Sequence, residues 1–198
     1  FARFTTFFEG LRTGVQTLSM LLAEPQLLDD LVATLALAPR LASRLAQRPV
    51  LLEALVDGGE GADLDIPEET PFDEAMDRAR RHHRDQVFLI GHRLLHGRLN
   101  AVDAAGAWTA LADRTIQAMA AAAARETVRR FGPPPGRYTV LGMGKLGGQE
   151  MTAGSDLDLL VVYAADDAVD AAGEARHWFA KYTQIGRASC RERVSFTV

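Results

Sequence analysis

The sequence predicts an α+β protein: a mainly α-helical domain over residues 1–132, then a mixed strand-and-helix domain over 137–184. Three observations predict it. Residues up to 132 carry apolar side chains at helical spacing, punctuated by proline. At Arg137 the character changes to short β-rich apolar runs. Between those runs glycines crowd, at Gly142, Gly144, Gly147, Gly148 and Gly154.

The first helix is read from apolar residues at 4, 7, 8, 11, 15, 18, 21 and 22. Pro25, Pro39 and Pro49 each precede an apolar run, giving short helices over 26–38, 40–47 and 50–56. Proline suits the first helical turn, where its missing N–H has no partner to lose. Residues 57–62 read as a linker by composition. Thr70-Pro71-Phe72-Asp73 is a helix start with Thr as cap, and that helix runs to His96, closed by Gly97. Asn100 or Val102 opens the next, which continues through the Ala118–Ala124 run to Phe131. Gly132 and Pro133–Pro135 stop it. Tyr138–Met143 and Asp156–Tyr163 read as strands, the second buried on both faces because its apolar run is continuous. Residues 168–182 return to helix.

Composition excludes several classes. The formal net charge is -4 and no Lys/Arg block occurs, so there is little electrostatic reason to expect a nucleic-acid partner. No apolar run approaches the ~20 residues of a membrane span, and no secretory signal opens the chain. A single Cys, Cys190, excludes internal disulfides and points to a reducing, cytoplasmic setting. The chain opens Phe1-Ala-Arg-Phe without Met, so it reads as a piece of a longer protein. Residues 185–194 show no helical or strand period and resemble the in-frame translation of a common sequencing adapter. Residues 185–198 are accordingly expected to be a non-native tail, with the natural sequence represented to about Gln184.

The chemistry-bearing motif is Asp156-Leu-Asp158. Residues two apart in a strand share a face, so both carboxylates point one way and Leu157 and Leu159 the other. Two like charges on one face repel, and a divalent cation removes the conflict. Mg²⁺ is typically held by one or two carboxylates plus substrate phosphates, so the pair suits a Mg²⁺–nucleotide site. Gly144, Gly147, Gly148 and Gly154 are expected to bring backbone N–H groups close to phosphate oxygens. Ser155 adds a hydroxyl and Lys145 a cation. Gly142-Met-Gly-Lys-Leu-Gly147 also fits the dinucleotide fingerprint, but Gly148 to Gly154 leaves no room for the crossover helix and position 162 is Val, not an acid. The P-loop pattern fails because Leu146 follows Lys145.

Residues 142–160, Gly-Met-Gly-Lys-Leu-Gly-Gly-Gln-Glu-Met-Thr-Ala-Gly-Ser-Asp-Leu-Asp-Leu-Leu, resemble the signature of the bacterial glutamine synthetase adenylyltransferase/adenylyl-removing enzymes. These belong to the DNA polymerase β-like nucleotidyltransferases, so the resemblance implies that 137–184 is the N-terminal part of such a domain, truncated here. The superfamily pattern is Gly-Ser, ten residues, then Asp-x-Asp. Here Gly144-Lys145 is followed by ten residues and then Asp156, with Lys145 in the Ser slot. The resemblance implies transfer of AMP from ATP to a tyrosine of glutamine synthetase, with Asp156 and Asp158 holding Mg²⁺. It also implies a PII-type nitrogen signalling protein as a partner. Glu150 to Asp158 resembles the adenylylating half more than the half that removes AMP by phosphorolysis. Family members use a third carboxylate from a later strand, in a segment resembling Val-Asp-Met-Arg-Leu-Arg-Pro. The chain has no such segment, and Asp166, Asp167 and Asp170 follow the second strand too closely. The chain by itself is therefore expected to be inactive.

Other residues read as structural. His82, His83, His92 and His96 share one helical stretch, and His92 and His96 have the i, i+4 spacing of a metal pair, but no acid between them completes a site. Arg80, Arg81 and Arg84 read as a solvated face, and Trp108, Trp178 and Phe179 as core. The competing reading is a helical interaction module whose Asp pair is only structural.

Overall fold

The computed structural model describes residues 5, 7, 14–56, 58, 61, 63–165, 167, 173–189 and 194–197. They form an α+β fold that divides into two compact units, one of residues 1–63 with 84–104, the other of 64–83 with 105–198.

The first unit holds α1 (Gly14–Ala23), α2 (Pro25–Leu37), α3 (Pro39–Gln47), α4 (Leu51–Val56) and the C-terminal part of α5 (Phe72–Leu95). Pro25 and Pro39 open their helices, as the missing N–H allows. Pro49 sits ahead of α4, its carbonyl accepting from the Leu52 N–H at 3.0 Å. Each helix is too short to stand alone in water, and its stability comes from burying one face. Phe7, Leu31, Leu45, Leu52, Phe88 and Leu89 make that core. Asp85 on α5 accepts from Arg44 and, at 3.0 Å, from Arg48, tying α3 to α5. Gly97, at φ +69, ends α5 where a side chain would be strained. The linker read at 57–62 lies mostly outside the described residues; Gly58 and Gly61 within it both have positive φ.

The second unit holds the N-terminal part of α5, most of α6 (Ala101–Phe131), β1 (Gly136–Gly142), α7 (Gly144–Gly147), β2 (Leu157–Ala165), α8 (Glu174–Ser189) and β3 (Val194–Thr197). At the start of α5, Pro71 rather than Thr70 takes the capping position, since the Ala75 N–H donates to the Pro71 carbonyl at 2.9 Å. Asn100 caps α6, its Oδ1 accepting from the Asp103 N–H at 2.9 Å. β1 and β2 pair antiparallel from Gly136↔Ala165 to Gly142↔Leu159, and β2 pairs parallel with β3. One face of the hairpin carries Tyr138, Val161 and Tyr163 onto Trp178, Phe179 and Tyr182 of α8. Tyr163 and Phe179 stack with ring centroids 4.4 Å apart. The Trp178 Nε1–H donates to the Gly132 carbonyl at 3.0 Å and pins α8 to the end of α6.

The structure differs from the sequence expectations in several places. The compact units do not follow the compositional boundary at 132–137. Ala123 and Ala124 of the Ala-rich run pack in the same core as Val161 and Phe179, so most of α6 goes with the sheet. β2 is buried on one face only. Leu159 and Val161 are buried, while Asp158, Val162 and Ala164 are exposed, because α8 covers one side. The helix expected over 168–182 is α8, which runs from Glu174 to Ser189, with 168–172 outside the described residues. Beyond Gln184 the helix continues because Ile185 finds the aromatic core to pack against. Val194–Thr197 then adds a strand. Cys190 lies outside the described residues.

Candidate functional site

β1 delivers the chain to Met143, whose N–H donates to the Asp158 carbonyl at 2.8 Å. The backbone then turns through α7, a single helical turn. Gly144 enters it at φ +55, a left-handed conformation that disfavours any side chain. A Cβ there would lie 3.3 Å from Asp158 Oδ2, so the loop runs directly against the carboxylate. Leu146 and Met151 are buried and anchor the segment to the core.

Asp156 sits one residue ahead of β2 and Asp158 within it; both are exposed. No described cation pairs with either carboxylate. Leu159, pointing the other way, is 5% exposed, as the two-residue period requires. The structure therefore sets Asp158 beside a glycine turn, with Asp156 two residues ahead of it and neither paired with a cation among the described residues. This all-oxygen donor set fits a hard divalent cation.

The surrounding residues are not all disposed as the spacing suggested. The amides of Gly147 and Gly148 are already bonded within the turn, to Met143 at 3.2 Å and Gly144 at 2.9 Å. Their glycine character is steric: a Cβ on Gly147 would meet the Gly142 carbonyl at 2.7 Å. The turn's own bonds leave the amides of Gly144, Lys145 and Leu146, as the first residues of any helical turn do. Ser155 is half-buried, and its Oγ accepts from the Thr152 N–H at 2.9 Å and bonds Thr152 Oγ1 at 2.8 Å. It holds the bend leading into Asp156. Gly154 is exposed in that bend, and Lys145 is exposed on α7. Gln149, at φ +59, is the non-glycine residue with positive φ among the described residues. A cavity of about 350 Å³ lies nearby, lined by Gly142, Leu146 and Leu159 with Asp113 and Gln117 of α6, but by neither carboxylate.

One grouping escaped the sequence reading. His92 and His96 are joined by Asp30, and ligand atoms of the three lie within 4.8 Å of one another. The i, i+4 histidines were visible, but the acid comes from a helix some sixty residues earlier, which no local spacing announces.

Residues 28–188 match the family model described as glutamate-ammonia ligase adenylyltransferase. Curated relatives named bifunctional glutamine synthetase adenylyltransferase/adenylyl-removing enzyme agree. That of Caulobacter vibrioides is 45% identical over 84% of this chain and 17% of its own length. That of Bartonella quintana is 38% identical over 91% of the chain and 20% of its own, and that of Agrobacterium fabrum 37% over 92% and 20%. The chain thus spans about a fifth of the length of these relatives. Among the described residues no helix is long and apolar enough to cross a membrane. With this match over most of its length, the chain belongs to the glutamate-ammonia ligase adenylyltransferase family.

Proposed function

We propose that this chain carries the start of an adenylylating catalytic domain, whose reaction moves AMP from ATP to a tyrosine of glutamine synthetase. The observation that carries this reading is the exposed Asp156/Asp158 pair, without a cation partner among the described residues, whose Asp158 lies against the Gly144 turn. Bound Mg²⁺ would neutralise the phosphates and stabilise the departing pyrophosphate. Asp156 and Asp158 would hold the Mg²⁺. Gly144 lets the backbone pass close to Asp158, and the amides of Gly144, Lys145 and Leu146 with the Lys145 ammonium favour anionic oxygens there. Gly147, Gly148 and Ser155 shape the two turns, and Gly154 lies exposed in the second. The tyrosine oxygen displaces pyrophosphate from the α-phosphorus and gives up its proton, so positioning and charge neutralisation dominate the rate.

No segment resembling Val-Asp-Met-Arg-Leu-Arg-Pro, which the resemblance implies as the source of the third carboxylate, is among the 198 residues. The chain by itself therefore binds Mg²⁺–ATP without transferring AMP, and glutamine synthetase and a PII-type protein are partners of the longer enzyme. Equilibrium dialysis with labelled ATP tests the site. Binding that requires Mg²⁺ and disappears in Asp156→Asn plus Asp158→Asn supports it; binding that survives the double substitution favours a helical interaction module. Labelled AMP appearing on glutamine synthetase would refute the predicted inactivity.

A further inference from the structure

The strongest unassigned cluster lies in the first unit. His92 is fully buried on α5, and neither of its ring nitrogens has a hydrogen-bond partner among the described residues. A buried imidazole must be a donor at one nitrogen and an acceptor at the other, so leaving both empty is costly. One helical turn on, His96 sets its ring centroid 4.3 Å from that of His92. Its Nδ1 is 3.3 Å from Asp30 Oδ1, and its Nε2 hydrogen-bonds Thr34 Oγ1 at 3.0 Å. Asp30 is buried too; Gln26 Nε2 donates to its Oδ1 at 3.1 Å and Arg98 pairs with its Oδ2.

We propose that Asp30, His92 and His96 form a binding site for a transition-metal cation, Zn²⁺ in particular. Two imidazoles and one carboxylate are a ligand set this metal takes, with water completing four-coordination. Zinc bonds of about 2.0–2.1 Å put tetrahedral ligand atoms about 3.4 Å apart. The three ligand atoms already lie within 4.8 Å of one another, so small side-chain rotations close the site. Thr34 stands where an orienting partner belongs, on the far nitrogen of His96, which leaves Nδ1 for the metal. Arg98 is the competing cation: it holds Asp30 Oδ2 and leaves Oδ1 facing the histidines.

The test is titration of the tag-free chain with Zn²⁺, and with Co²⁺ as a visible-absorbing substitute. We expect one equivalent to bind, with a Co²⁺ ligand-field band. His92→Phe removes a ligand without breaking any hydrogen bond, beside Phe88, and should weaken binding by more than about a hundredfold. Thr34→Val should weaken it about tenfold. Arg98→Gln, which frees Asp30, should tighten it. Asp156→Asn plus Asp158→Asn should leave it unchanged. Independently of any variant, the imidazole ¹⁵N resonances of His92 and His96 should move on Zn²⁺ addition. No stoichiometric binding, equal binding by folded His92→Phe, or unmoved ¹⁵N resonances would overturn the site and leave a buried water as the partner of His92.

Discussion

The two acidic sites of this chain are opposites. Asp30 is buried and held by Arg98, Gln26 and His96. Asp156 and Asp158 are exposed and held by no described cation. A buried carboxylate persists only when its charge is matched inside the protein. An exposed pair costs little by itself, because water screens it, and keeps its lone pairs for a ligand. Stability should therefore depend on the first site and nucleotide binding on the second.

The sharpest way to break that contrast is Asp30→Ala. It strands Arg98 and removes the acceptor of Gln26, so unfolding free energy should fall by about 3–5 kcal/mol, read as a urea midpoint. A loss under about 1 kcal/mol, the range of exposed pairs, would put Asp30 in the same class as Asp156. Next, Gly147→Ala places a methyl against the Gly142 carbonyl and should cost about 1–3 kcal/mol while weakening ATP binding. Unchanged affinity and midpoint would show that the turn yields freely.

Glu126 is an intermediate case, a buried acid whose partners Arg129 and Arg130 are largely exposed. Hydrogen bonds from Arg129, then Arg130, hold its carboxyl at about 2, below its ordinary 4.5. As pH falls below about 4.5 the unfolded chain takes up this proton first. The stabilisation is therefore complete above that pH and is lost as pH falls toward about 2. It should amount to about 1 kcal/mol, given the exposure of the arginines. Urea midpoints of wild type and Glu126→Gln should differ at neutral pH and converge in acid; a constant gap would mean that the ion pair contributes nothing. Smallest of all, Asp156→Asn plus Asp158→Asn should change stability by less than about 0.5 kcal/mol. A larger loss in the same urea experiment would make the pair structural.

Much of the fold was legible because it is written locally. Pro25 and Pro39 open helices, Gly97 and Gly132 close them, and the apolar runs after Arg137 become β1 and β2. The alternation that turns Asp158 outward and Leu159 inward is equally local. What sequence could not supply was cover. A continuous apolar strand suggested two buried faces, yet α8 supplies only one. The reach of α8 past Gln184 depends on a place for Ile185 in an aromatic core assembled from β1, β2 and α8. The glycines marked the loop correctly, but only coordinates separate those that shape it, such as Gly147, from Gly144, which lies against Asp158. Asp30 is the extreme case: its partners His96 and Arg98 are more than sixty residues away.

Gln149 carries one further consequence. Its left-handed backbone stores about 1–2 kcal/mol of strain, which glycine would not bear. Its own N–H closes the α7 turn on the Leu146 carbonyl, so this strain sits at the latch of the segment facing Asp158. The turn is in effect a loaded spring. Its open form is raised in population relative to a relaxed turn, and amide exchange at Gly147–Glu150 should be faster than in Gln149→Gly.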